Sequence, residues 1–207
     1  MQLCSNFLNM RAMAPAESNG RLSDWEALYN LASSQAGYFH LDQALKLGFG
    51  RPLLSYHVQV GNLRRERRGV YRLVQFPSSE SEELVVHWLW SKREGVFGHE
   101  TALALHQLSD VMPRHVHLTV PPAWARRRVK VPTALRLHYS EIPASERTKR
   151  GAIPVTTPFR TIRDCLESSV SPELVTQALE QAARRGEILK REDSELRRLQ
   201  RSARART

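Results

Sequence analysis

Residues 48–74, G-F-G-R-P-L-L-S-Y-H-V-Q-V-G-N-L-R-R-E-R-R-G-V-Y-R-L-V, constrain this chain more than any other stretch. Gly48 and Gly50 interrupt the preceding pattern, and Pro52 stands where the first turn of a helix tolerates a missing N–H. Leu54 and Val58 fall four apart on one helix face, with Arg51, Ser55, Tyr56 and Gln59 pointing elsewhere. Gly61-Asn62 ends that helix, and two short strand-like runs follow, Leu63–Arg67 and Val70–Val74, joined by Arg68-Gly69. A short helix followed by a basic hairpin is the pattern of a recognition helix and its wing. A helix and hairpin with a merely solvated charged face is the plain alternative. Clustered guanidinium groups repel one another unless a polyanion is near, so Arg64, Arg65, Arg67 and Arg68 on one hairpin favour the first.

The elements before this stretch complete the pattern. Ser23 or Asp24 can cap a helix carrying Trp25, Leu28, Tyr29 and Ala32 at helical spacing to about Gln35, with Gly37 as its stop. Tyr38-Phe39 reads as a very short strand and Leu41–Leu47 as a second helix. Helix, strand, helix, tight turn, helix and hairpin make a winged helix-turn-helix over residues 21–76, ahead of a polar Pro77-Ser78-Ser79 linker. Residues 1–20 have no periodicity and are expected to be a mobile extension.

The fold class expected is α+β, with a mixed α/β C-terminal domain over residues 80–186 formed by a small sheet and flanking helices. Its expected helices are Glu80–Lys92 (with Leu84 and Trp88 as the core-facing pair), His99–Leu108, Pro158–Leu166 and Ser171–Ala183. Its expected strands are Gly95–Phe97, the alternating His115–Val120, Ala134–Tyr139 and Ile153–Thr156. Residues 187–207 read as a basic charged tail, helical at first and then frayed.

The whole chain is basic: 31 Lys+Arg against 21 Asp+Glu give a formal net charge of +10 over 207 residues. Nucleic acid is the leading explanation, with a membrane surface or an acidic protein as the others. No apolar run approaches the ~20 residues of a membrane span, no secretory signal is recognised, and Cys4 and Cys165 do not make a disulfide framework. A cytoplasmic location is the natural expectation.

Four motifs occur in a fixed order: R-R-G-V-Y-R-L at 67–73, H-E-T-A-L-A-L-H at 99–106, R-H-V-H-L-T-V-P at 114–121 and I-P-V-T-T-P-F-R-T-I-R-D at 153–164. In these, from roughly Leu22 to Ala183, the chain resembles the AbiEi-type antitoxins, the transcription-factor half of type IV toxin–antitoxin (abortive infection) systems. The resemblance implies an N-terminal winged helix-turn-helix that represses its own operon at promoter inverted repeats, and a C-terminal domain that supplies antitoxicity. It also implies a nucleotidyltransferase-like toxin as functional counterpart without a stable complex. The DNA-binding species would be a monomer or weak dimer, paired on double-stranded DNA. Tyr56, His57 and Gln59 depart from the arginine-rich helix expected of such proteins, and the segments before Leu22 and after Arg184 have no clear counterpart.

The candidate DNA-contacting residues are Arg51, Ser55, Tyr56, Gln59, Asn62, Arg64, Arg65, Arg67, Arg68 and Arg72. Wing arginines suit phosphates or the minor groove, whereas Gln can pair with adenine and Arg with guanine in a major groove. His57 is expected to be buried, Tyr56 divides between packing and contact, and Tyr71 is expected to pack the wing onto the body. A second basic patch comprises Arg126, Arg127, Arg128, Lys130 and Arg136, with Lys149, Arg150, Arg160 and Arg163 as neighbours. It would hold a polyanion or be a solvated loop.

His99 and His106 can share a helix face, and His115 and His117 a strand face, but no Cys or carboxylate completes a recognisable ligand set and H-E-x-x-H is absent. No metal and no cofactor are expected. No D/E-x-K, D-x-D, P-loop or G-x-S-x-G occurs, which argues against an enzyme. The alternatives left open are a non-enzymatic RNA- or protein-interaction module and an orphan winged-helix regulator with no toxin.

Overall fold

The computed structural model describes residues 24–168 and 170–204. The extension expected over residues 1–20 lies outside them. The chain divides after Lys92 into two compact units.

In the first unit, α1 (Trp25–Ser33) starts at Asp24, whose carboxylate accepts from the Ala27 amide at 2.9 Å. Its Trp25, Leu28 and Ala32 are buried, as the helical spacing required. After β1 (Tyr38–His40) comes α2 (Leu41–Lys46), for which His40 and Gln43 form a reciprocal capping box. Gly48, at φ +83, turns the chain into α3 (Arg51–Gln59), with Pro52 in the first turn. The hairpin β2 (Leu63–Arg67) and β3 (Val70–Leu73) follows, and the three strands form an antiparallel sheet in the order β1-β3-β2. Gly69 serves two constraints: its φ is +81, and an added Cβ would lie 3.0 Å from His40 Nε2. The core is Trp25, Leu28, Phe39, Phe49, Leu53, Leu54, Leu63 and Leu73, with Trp25 edge-on to Phe49 at 4.8 Å.

The next helix, α4 (Glu82–Trp90), also belongs to the first unit, so the linker expected at residues 77–79 is no unit boundary. Its rotation differs from expectation too. Val85, Val86, His87 and Leu89 are buried, while Leu84 and Trp88 are half-buried. Glu82 fixes that rotation: its carboxylate takes hydrogen bonds from Arg72 at 3.0 Å and from the Tyr38 hydroxyl at 3.1 Å.

The second unit is built on a five-stranded mixed sheet, order β6-β5-β4-β8-β7, from β4 (Val96–Phe97), β5 (Val116–Val120), β6 (Leu135–Tyr139), β7 (Arg147–Arg150) and β8 (Ile153–Thr156). The β5–β6 and β4–β8 pairs are parallel, the β4–β5 and β7–β8 pairs antiparallel. Strand β7, R-T-K-R, lacks any apolar alternation and is absent from the sequence-based expectation. It is an edge strand, where charged side chains are tolerated because one side faces water.

Helices α5 (His99–His106), α6 (Pro158–Leu166), α7 (Pro172–Arg184) and α8 (Lys190–Arg204) accompany this sheet. Leu103, Leu108, Ile162, Cys165, Val175, Leu179 and Leu196 form their shared core. Leu196 is fully buried, so residues 190–204 are a docked helix and not a frayed tail. Cys165 is a buried free thiol whose pKa is pushed up by burial. Among the described residues, no helix is long and apolar enough to cross a membrane.

Candidate nucleic-acid interface

The candidate interface begins with the two faces of α3. Leu53, Leu54 and His57 are buried, and Val58 is half-buried. His57 sits edge-on to Trp25 at 4.4 Å, and burial lowers its pKa. It thereby takes the core position that the Leu54/Val58 spacing had assigned to Val58. On the opposite side Arg51, Ser55 and Gln59 are exposed at i, i+4 and i+8, so they form one continuous stripe. Tyr56 is half-buried beside it, edge-on to His57 at 5.1 Å.

The β2–β3 hairpin presents its cations differently. Residues 64–68 are all exposed. A bulge between Arg65 and Arg67 leaves Glu66 out of register, and there its carboxylate receives Arg64 Nε at 3.1 Å and Nη2 at 2.8 Å. Arg65, Arg67 and Arg68 form no salt bridge among the described residues. Three uncompensated guanidinium groups therefore project from a hairpin of fixed register. Tyr71 stacks on Phe39 at 5.8 Å, holding the wing to the body as expected.

Two of the expected contact residues belong to the scaffold. Arg72 is 7% exposed; beyond its ion pair with Glu82 it donates to the Phe76 carbonyl at 2.9 Å and lies 5.6 Å from the Tyr38 ring centroid. On β3, the central strand, it ties the sheet to α4. Asn62 is half-buried, and its Nδ2 donates to His57 Nδ1 at 3.2 Å, closing the turn between α3 and the wing.

The second basic group, on the other unit, is only partly available. Arg127 is held by Glu94 at 3.1 Å and lies 4.5 Å from the Trp124 ring centroid; Trp124 Nε1 donates to the same carboxylate at 2.7 Å. Arg126, Arg128, Lys130 and Arg136 are exposed. Arg150 donates to His106 Nδ1 at 2.9 Å, while Lys149 is exposed on the edge strand.

Arg160 and Arg163 do not join that group. Arg160 is buried, paired with Asp164 at 2.7 Å and with Glu146, and Glu146 also receives Arg163 at 2.8 Å. Burial pushes the Glu146 carboxyl up, but the two arginines outweigh it and hold its pKa low; for Asp164 burial prevails and raises it. The network is internal structure.

The histidines also sort differently from their sequence spacing. His106 is directed at the Thr156 carbonyl at 2.8 Å, and His115 is exposed. His99 and His117 instead meet His138, which the sequence did not single out. The signal was present only in part: Arg136 and His138 alternate on β6 as His117 and Thr119 do on β5, but the pairing of those strands is not written in either one.

Residues 26–74, which span nearly all of α1 through the β2–β3 hairpin, match a family model described as "Transcriptional regulator, AbiEi antitoxin". Among solved structures the chain is similar to the RV2827C protein from Mycobacterium tuberculosis, with 13% identity, 89% of this chain and 84% of that chain covered, and a TM-score of 0.41. No curated protein matches the chain.

Proposed function

We propose that residues 24–92 form a winged helix-turn-helix domain through which this chain binds duplex DNA as a transcriptional regulator. The observation that carries the proposal is the pairing of an exposed Arg51–Ser55–Gln59 stripe with a hairpin whose Arg65, Arg67 and Arg68 form no salt bridge among the described residues. A helix stripe of this kind reads base edges in a major groove, while wing guanidiniums neutralise phosphates and set orientation. The match of residues 26–74 to an antitoxin and regulator family supports repression of its own promoter, at inverted repeats occupied by two copies. The same match supports a role as the antitoxin of a toxin–antitoxin pair, with a nucleotidyltransferase-like toxin that it counteracts without a stable complex. The protein acts here by binding and not by catalysis, in a cytoplasmic setting.

The test is an electrophoretic shift assay with the DNA upstream of the reading frame against random duplex, from 50 to 200 mM salt. Tighter binding to the upstream DNA, persisting as salt rises, is expected. Equal affinity for both duplexes at every salt concentration would rule out operator recognition.

A further inference from the structure

Three imidazoles from three separate elements converge in the second unit: His99 at the start of α5, His117 on β5 and His138 on β6. One ring nitrogen from each lies within 4.8 Å of the other two. His117 Nδ1 faces His138 Nε2 at 3.0 Å, and the rings of His99 and His138 stack with centroids 3.6 Å apart. His99 and His117 are buried and His138 is half-buried.

A hydrogen bond between two neutral imidazoles accounts for His117 and His138, but it leaves His99 unexplained. His99 Nδ1 is buried with no hydrogen-bond partner among the described residues. Burying a polar nitrogen without a partner is unfavourable. The His99 backbone is also at φ +52, an uncommon conformation for a residue with a Cβ. Two unfavourable features coincide at the one residue that completes the trio.

We propose that His99, His117 and His138 bind a divalent transition-metal ion of the zinc class, His117 through Nδ1, His138 through Nε2 and His99 through its otherwise unpartnered Nδ1. Imidazole is a preferred donor for such ions, and three of them with solvent at the fourth position make an ordinary tetrahedral set. This reverses the expectation from sequence that no metal site exists. Glu100 Oε2 lies 3.8 Å from His117 Nε2, the nitrogen turned away from the cluster; this is longer than a hydrogen bond, and rotation on loading would bring the carboxylate into the contact that orients metal-bound histidines.

Burial lowers the pKa of His99 to about 3 and of His117 and His138 to about 4, which leaves all three neutral near pH 7 with lone pairs available. Two cations oppose the ion. Arg136 is exposed, and Arg160 is balanced by Glu146 and Asp164. Tetrahedral zinc at about 2.0–2.1 Å from each nitrogen needs ligand atoms about 3.4 Å apart. Loading therefore draws the trio together and opens the His99–His138 stack by side-chain rotation. The ion would cross-link the start of α5 to two parallel strands.

The experiment uses the metal-free full chain titrated with Co(II), followed by visible d–d absorption, with Zn(II) as competitor. One equivalent with the intense bands of four-coordinate cobalt is expected. It should be lost in His117→Gln and in His138→Gln and retained in His115→Gln, whose side chain is exposed on the same segment. Long-range proton–nitrogen NMR of the wild-type imidazoles decides the matter even if those variants fail to fold: zinc should shift the ring nitrogens of the three residues and not those of His115. Absence of stoichiometric binding, binding that survives in His138→Gln, or shifts confined to other histidines would overturn the site.

Discussion

Removing the three uncompensated wing arginines together, as Arg65→Ala/Arg67→Ala/Arg68→Ala, is the most informative perturbation of the proposed DNA contact. Arg64 is left in place because Glu66 already engages it through two hydrogen bonds. Each phosphate neutralised by a guanidinium releases condensed counterions and contributes about −0.9 to the slope of log affinity against log salt. Three such contacts contribute about −2.7. Over a fourfold rise from 50 to 200 mM, that amounts to about a 40-fold loss of affinity in the wild type that the triple variant does not show. Fluorescence anisotropy with a labelled upstream duplex measures both slopes. The replaced side chains are exposed, so the melting temperature should barely move, surface changes of this kind being worth within about 0.5 kcal/mol. An unchanged salt slope in a folded triple variant would refute the assignment of these residues to phosphates.

Three further outcomes follow from the same structure. Arg72→Met should behave in the opposite way, leaving the salt slope intact but destabilising the first unit by about 1–3 kcal/mol in a denaturant melt, because it removes the buried cation from the Glu82 carboxylate and leaves it the Tyr38 hydroxyl and the Ser79 amide as donors. Leu196→Ala should cost about 2–5 kcal/mol in thermal or denaturant unfolding, the range for a fully buried leucine; a frayed tail would give a change near zero. Acid should destabilise the fold below pH 6.5. Burial lowers the folded pKa of His57, His87 and His106, so the unfolded chain takes up protons first. Their contribution is fully present above 6.5 and is lost as pH falls towards the folded values, with a slope of at most about 1.4 kcal/mol per unit for each group. Chemical denaturation at a series of pH values should show midpoints falling through that window.

The local elements of the first unit were legible because each carries its own signal. Asp24 caps, Gly48 and Gly69 turn, Pro52 opens a helix, and Trp25, Leu28 and Ala32 repeat at helical spacing. What was not legible depends on partners distant in the chain. Arg72 reads as one more wing cation until α4 brings Glu82 over it, and the phase of α4 could not be set while that helix was assigned to the other unit. Asn62 looks like a contact residue but closes its own turn on His57. Strand β7 is hidden by its charge, since an edge strand needs no apolar alternation. Leu196 sits among arginines and glutamates that mask its buried position in α8. The imidazole cluster required the β5–β6 register, in which Thr119 stands opposite His138 and His117 opposite Arg136.

Backbone hydrogen exchange of the full chain, free and saturated with upstream duplex, tests the recognition surface most directly. Slowed exchange concentrated in residues 51–59 and 63–70 is the predicted footprint. Protection that bypasses those segments and falls on residues 126–136 would contradict it.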